Sequence, residues 1–283
     1  MNIKLIADST CDLPQELVDK YNVRIVPLSI SKGGQALKDG VEIGPADIFE
    51  FMDAGLGICS TSAVNVAEYT RVYEEERGKC DAIIHFVISS EMSSGYQNAR
   101  VAAEDFDNIH IIDSRNLSMA IGHLVVDAAE LAAEGKTPDE IVGKINEIIP
   151  LLDAGFVIDT LTYLHKGGRC TSIQALVSNV LNVKPSIVVA NGKMTVGKKY
   201  RGKLEVVLRK YIDDKLSLHE NIDTRRIFIA DTMTAENRPL MEAAKAQIAK
   251  TLPSAEIYET KAGGTISCHC GPNTFGIFLI RRK

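Results

Sequence analysis

The chain has 283 residues, enough for one large or two ordinary domains, and its 45% hydrophobic and 24% charged residues are typical of a globular protein. A net charge of −5 gives no electrostatic basis for binding nucleic acid or an anionic membrane surface. No apolar run reaches the roughly 18 residues of a membrane span, so a cytoplasmic protein is expected.

From Met1 the chain meets Asp8 before a signal-peptide core could form, and Ile3–Ala7 reads as a first strand ending in Asp8-Ser9-Thr10. Pro14 opens a short helix to about Tyr21. Val23–Ile30 is an extended run with a turn at Gly33-Gly34, and the polar stretch to Gly44 reads as loop. Pro45 starts a helix that stops near Gly55. The small-hydroxyl cluster Cys59-Ser60-Thr61-Ser62-Ala63 precedes a helix to about Glu76. Ile83–Ile88 is apolar and rich in β-branched residues, the pattern of a strand buried on both faces. It runs into Ser89-Ser90-Glu91-Met92-Ser93-Ser94-Gly95, where Ser94 and Gln97 fit a capping box for the next helix. The free N–H groups of a helix start suit an anion, although serine is also an ordinary N-cap. Ile109–Ile112 is a strand ending in Asp113-Ser114, and helices follow at Leu117–Glu134 and Pro138–Ile149.

This alternation predicts a three-layer α/β/α unit with a mainly parallel sheet over residues 1–155. Polar residues gather at the carboxyl ends of its strands, the edge where open α/β sheets carry ligands, but helix capping would place the same residue types there. Residues 156–283 read as a second α/β unit with a mixed, partly antiparallel sheet, preceded by a short strand at Gly155–Ile158. It holds a helix over Ser172–Val180, then a hairpin of Pro185–Ala190 and Lys193–Lys199 about Asn191-Gly192. Helices at Lys203–Lys215 and Glu236–Lys250 alternate with strands at Arg226–Ala230, Ala255–Tyr258 and Phe275–Ile280. No linker or repeat marks the boundary. Phe86, Phe275 and Phe278 sit in strand patterns and read as core.

The six cysteines are scattered, which favours reduced thiols over a disulfide framework. Cys268-His269-Cys270, taken as strand, puts its cysteines on one face and its histidine on the other, so no metal site is expected. Four clusters combine backbone freedom with hydrogen-bonding side chains: Thr61-Ser62, Ser93-Ser94-Gly95, Lys166-Gly167-Gly168-Arg169, and His269-Cys270-Gly271-Pro272-Asn273-Thr274. Brought together, they would surround one small anion, a carboxylate or a phosphate. Separately, the lysine-arginine cluster reads as a solvated turn, His269 equally as a satisfied core histidine or a site residue, and Arg201 as surface charge. A serine hydrolase with Ser93 as nucleophile, His269 as base and Asp8 or Asp113 as orienter is an alternative, without the usual Gly-x-Ser-x-Gly. A transcription-linked interaction protein is a third reading; the acidic balance and the missing basic motif argue against direct DNA contact.

Taken in order, Asp8-Ser9-Thr10-Cys11-Asp12-Leu13, Thr61-Ser62, Ser89-Ser90-x-x-Ser93 with Tyr96-Gln97-x-Ala99, and Asp113-Ser114-x-x-x-Ser118 resemble the DegV family. Leu164-x-Lys166-Gly167-Gly168-Arg169, Arg201-Gly202 and His269-x-Gly271-Pro272-x-Thr274-x-Gly276 extend the resemblance to the last strand. The family is similar to the fatty-acid-binding (FakB) subunits of bacterial fatty acid kinase. The resemblance implies the two-domain DegV-like fold and a long-chain fatty acid in an internal apolar tunnel. It also implies presentation of the carboxylate to a separate kinase subunit that makes acyl-phosphate for phospholipid metabolism. The chain would then be no enzyme itself, with no cofactor beyond the bound lipid, no nucleic-acid partner, and transient membrane contact. By the same resemblance Thr61, Ser62, Ser93, Ser94, Arg169 and His269 surround the carboxylate, and Arg201 docks the kinase. The chain departs from the family where it reads Ser93-Ser94-Gly95, Ala63-Val64-Asn65 and Asn273.

Overall fold

The computed structural model describes residues 1–173 and 183–282. Strand β1 (Ile3–Asp8) leads through helix α1 (Gln15–Lys20) to β2 (Arg24–Val26). Pro27 then breaks the extended run, because proline cannot donate to a ladder. Past it the chain changes sheet: β3 (Ser29–Lys32), β4 (Gln35–Lys38) and, after α2 (Pro45–Asp53), β5 (Ser60–Ser62) form an antiparallel trio in the order β4-β3-β5. The stretch expected to be loop before Gly44 therefore holds a strand. Its residues Gln35 and Ala36 are exposed, so no apolar alternation announces it. Helix α3 (Val66–Arg77), β6 (Ala82–Val87), α4 (Gly95–Ala103), β7 (Ile109–Asp113), α5 (Met119–Ala133) and α6 (Pro138–Ile148) complete the first unit. Its sheet is all parallel, in the order β2-β1-β6-β7.

The second sheet begins with β8 (Leu152–Val157), within which residue 155 falls. After α7 (Thr162–Gly167) come β9 (Val183–Ala190), β10 (Lys193–Arg201), α8 (Leu204–Lys215), β11 (Ile227–Asp231), α9 (Pro239–Thr251), β12 (Ile257–Lys261), α10 (Gly264–Cys270) and β13 (Phe275–Ile280). The strand order is β10-β9-β8-β13-β11-β12; β11 and β12 run parallel and the other neighbours antiparallel. Asn191 (φ 52°) and Gly192 (φ 82°) make the expected tight hairpin between β9 and β10. The helix expected over Ser172–Val180 lies, beyond Ile173, outside the described residues. Cys268-His269-Cys270 is helical rather than extended, in a helix of seven residues, too short for periodicity to have separated the two.

Two-residue alternation along β6 sets the layering. Ile83 and Val87 pack with Ile6, Tyr69, Tyr73 and Ala99 under α3 and α4, whereas Ile84 and Phe86 face the other way, into the core built on α5. Helix α5 is buried at every residue from Met119 to Ala129, because it is packed between two sheets. Phe156, Phe228 and Phe278 of the second sheet share its core cluster. The opposite face of that sheet, with Val157, Ile229 and Ile277, is covered by Val207, Leu208, Met241 and Ile248 of α8 and α9. The polar residues of α5 are paired across this junction. His123 Nε2 donates to the Phe278 carbonyl at 3.0 Å, and the Asp127 carboxylate pairs with the Arg226 guanidinium.

Candidate functional site

Helix α10 carries His269 and is anchored at its other end by two carboxylates from the first half of the chain. The Gly263 amide donates to Asp12 Oδ1 (2.8 Å), and those of Gly264 and Thr265 donate to Asp39 Oδ1 (2.8 Å) and Oδ2 (3.0 Å). These are amides that a helix start leaves without partners, and carboxylates there are doubly favourable. Ser9 Oγ donates to Asp39, and Ser118 Oγ donates to Asp12 Oδ2 at 2.5 Å. Burial pushes the Asp12 carboxyl up to about 7 despite its donors Ser118 and Gly263. The opening Asp8–Leu13 motif thus ties the end of β1 to α10, a link no local pattern reveals because its two ends are some 250 residues apart.

At the far end of α10, His269 Nε2 and Thr61 Oγ1 are 2.9 Å apart. Thr61 stands on β5, paired with Ile30 of β3, so the small antiparallel sheet is what carries it to the histidine. His269 Nδ1 is buried without a hydrogen-bond partner among the described residues, against Gly167 at the end of α7. A Cβ on Gly167 would lie 2.2 Å from this nitrogen, so a Cα hydrogen of the glycine points at it. That environment suits a lone pair and not an N–H, which places the proton on Nε2. The imidazole then donates to Thr61 Oγ1, leaving the threonine O–H to donate elsewhere. Burial, and secondarily the Arg169 charge, lowers the His269 pKa to about 4, so the ring is neutral at pH 7.

Gly168, at φ 70°, ends α7 and turns the chain so that Arg169 reaches the same place, its Nη1 donating to the Gly167 carbonyl at 2.9 Å. Ser93, just before α4, completes the group; its Oγ accepts from the Gly95 amide at 3.2 Å. The expected Ser94–Gln97 capping box is absent, and Ser94 caps with no side-chain bond. Thr61, Ser93, Arg169 and His269 all line one cavity, whose remaining wall includes Leu28, Ile88, Met92, Leu117, Met194, Thr265 and Ile266. A second, smaller space shares Leu117, Ile266 and Cys270 with it and lies between α10 and the second sheet, beside Phe156 and Phe278. Phe278, read as plain core from its strand pattern, therefore also lines this space.

Ser62 and Ser94 are exposed and line neither space, although each is next in sequence to a residue that does. On a strand the neighbour of an inward residue points outward, which accounts for Ser62. Arg201 is exposed at the end of β10, beside Lys198, Lys199 and Lys210 and seven residues from Met194. That is roughly 20 Å along a strand. The hydrolase arrangement is not assembled. Asp8 is engaged with Tyr69 (2.8 Å) and His85 (3.3 Å), Asp113 with Ser90 and Arg115, and among the described residues no carboxylate meets His269 Nδ1. Sequence reasoning missed Asp12 and Asp39 as anchors of α10, and Met92 and Met194 as adaptable walls. Among the described residues no helix is long and apolar enough to cross a membrane.

Comparison with known proteins places the whole chain. The family model described as "Uncharacterised protein, DegV family" matches residues 2–282. A DegV domain-containing protein of Caldanaerobacter subterraneus subsp. tengcongensis is 32% identical over 279 residues, covering 98% of each chain. Among solved structures, a DegV family protein from Thermus thermophilus, described for its fatty acid binding, superimposes with a TM-score of 0.91. It is 28% identical, over 99% of this chain and 100% of that one. DegV of Bacillus subtilis, described as a fatty acid binding protein, gives a TM-score of 0.84 at 26% identity, over 99% of each chain.

Proposed function

This chain belongs to the DegV family, and on that premise we propose that it binds a long-chain fatty acid, with the carboxylate among Thr61, Ser93, Arg169 and His269. The observation that carries the reading is the polarity of the cavity: hydrogen-bond donors collect beside Thr61 and His269, and the rest of the wall is apolar except for Thr265. The fatty acid binding described for the Thermus thermophilus and Bacillus subtilis proteins supports it. A carboxylate taken out of water needs several donors, and here they come from four separate segments of the chain. The Arg169 guanidinium supplies the positive charge; Thr61, relieved by the His269 Nε2 proton, supplies an O–H. The tail extends along the Leu117–Ile266 wall toward Phe156 and Phe278.

Each buried methylene contributes about 0.8 kcal/mol, so ten contribute roughly 8 kcal/mol, about micromolar affinity before ordering costs. The tail supplies affinity and the head group fixes orientation. In this reading the protein is a cytoplasmic carrier that takes its lipid during transient membrane contact and has no cofactor of its own. It presents the carboxylate to a separate kinase subunit for conversion to acyl-phosphate. Arg201, too far along β10 to reach the head group, would act in docking that subunit, on a charged surface where Lys198, Lys199 and Lys210 stand with Asp213 and Asp214. The test is mass spectrometry of small molecules released by denaturing freshly purified protein. A near-stoichiometric fatty acid is expected; a protein that carries none and binds none on titration ends the proposal.

A further inference from the structure

Thr265 is a polar residue that the head-group site does not use. It lies at the second position of α10, four residues before His269 and on the same helical face, a rise of about 6 Å away. It lines the main cavity, is 3% exposed, and its buried hydroxyl has no hydrogen-bond partner among the described residues. A threonine inside a helix usually bonds back to the carbonyl of the preceding turn. At a helix start that turn is missing, and the Ala262 carbonyl is taken by Ser267 Oγ at 3.3 Å. The Thr265 amide is held by Asp39, so the residue cannot move off the wall. What remains is an unpaired hydroxyl on a wall shared with Leu28, Ile88, Leu117 and Ile266. Left unpaired, such a group is a standing cost; a ligand oxygen within reach would remove it.

We infer that Thr265 selects for a fatty acid bearing a hydroxyl or oxo oxygen on one of its first carbons, the oxygen bonding the threonine while the carboxylate sits beside His269 and Thr61. This rests on the fatty-acid reading and adds the class of acyl chain. A hydroxyl on the lipid can donate to or accept from the threonine, so either partner's second bond is free to adjust. A plain chain leaves both Thr265 and the cavity wall as they are.

The experiment is competitive binding of hexadecanoic acid and of 2- and 3-hydroxyhexadecanoic acid to the full-length protein and to its Thr265→Val and Thr265→Ser variants. Valine keeps the shape and removes the hydroxyl; serine keeps the hydroxyl. The wild-type protein should prefer one hydroxy acid over the plain acid on the order of tenfold, the effect of one buried hydrogen bond. Thr265→Val should lose that preference while still binding hexadecanoic acid, and Thr265→Ser should retain it. Equal affinities in the wild-type protein, or an unchanged ratio in Thr265→Val, overturn the inference and leave the fatty-acid reading standing, the hydroxyl then being served by an ordered water. Failure of all three acids to bind the wild-type protein overturns both.

Discussion

Gly167 and His269 meet so closely that a Cβ on the glycine would stand 2.2 Å from the imidazole Nδ1. The last turn of α7 is therefore the back wall that keeps the ring turned toward Thr61. A residue type chosen for its missing side chain, in a segment that reads as an exposed turn, decides the aim of a histidine about a hundred positions later.

Gly167→Ala should accordingly weaken fatty-acid binding about a few-fold, because the methyl and the ring cannot occupy one place and the 2.9 Å contact to Thr61 is lost. Overpacking should also lower stability by about 1–3 kcal/mol. Titration with a fluorescent fatty acid and urea denaturation measure the two effects. Binding that survives intact would mean that the orientation of His269 does not matter to the ligand.

Thr61→Ala and Ser93→Ala should each reduce affinity about ten- to a hundredfold, the range for a hydrogen bond to a charged group. Neither should unfold the protein, since both residues are only partly buried and lie at a cavity. The check is the same titration alongside a thermal melt. Full affinity in both variants would move the carboxylate away from this end of the cavity.

The elements that were legible in the sequence are those with a strong local period or punctuation. The buried run of β6, the Asn191-Gly192 hairpin and the proline-led helices α2 and α6 all stand where the residues put them. What was not legible depends on contacts distant in sequence. The edge strand β4 has no buried face to give an alternation, and α10 is helical because Asp12 and Asp39 cap it from the other half of the chain. Of the six residues expected around the carboxylate, four line the cavity. Ser62 and Ser94 do not, since side-chain direction within a dipeptide is fixed by backbone geometry that a motif does not record.

The ion pair between Asp127 of α5 and Arg226 ties the central helix to the start of β11, and both side chains are nearly inaccessible. Asp127→Ala leaves a buried guanidinium with only the half-exposed Glu130 and should cost about 3 kcal/mol. Replacing both partners, as Asp127→Leu with Arg226→Met, should recover much of that loss, because two buried charges are removed together. Denaturant midpoints of the single and double variants provide the measurement; additive losses would show that the pair is not the linkage.

Asp12 makes stability depend on pH in a direction opposite to most carboxylates. Its folded value of about 7 lies above the ordinary 3.8, so between these limits the folded state holds a proton that the unfolded chain releases. Its contribution is complete below about pH 4 and is lost as pH rises through 7. His269 and His123, lowered to about 4 and about 3, act in the reverse sense: their contribution is present above 6.5 and lost as pH falls through those values. Subtracting the Asp12→Asn curve from the wild-type curve isolates the first effect. The difference should fall by up to about 1.4 kcal/mol per pH unit between pH 4 and 7. A difference that stays flat would mean Asp12 titrates normally.

His269 should matter more to the transfer of phosphate than to the holding of lipid. In the proposed function the tail contributes most of the affinity through Leu117, Ile266, Phe156 and Phe278, none of which a His269→Ala substitution removes. What the substitution removes is the Nε2–H that turns the Thr61 hydroxyl toward the carboxylate, and with it the fixed orientation of the reacting oxygen. Positioning errors of this kind cost far more in rate than in binding, on the order of a hundredfold against a few-fold. With the kinase subunit supplied in trans, acyl-phosphate formation by His269→Ala should thus fall well below what its retained fatty acid would allow. Retention is read by mass spectrometry on the same preparation. Parallel losses in the two quantities would assign His269 to simple ligand binding.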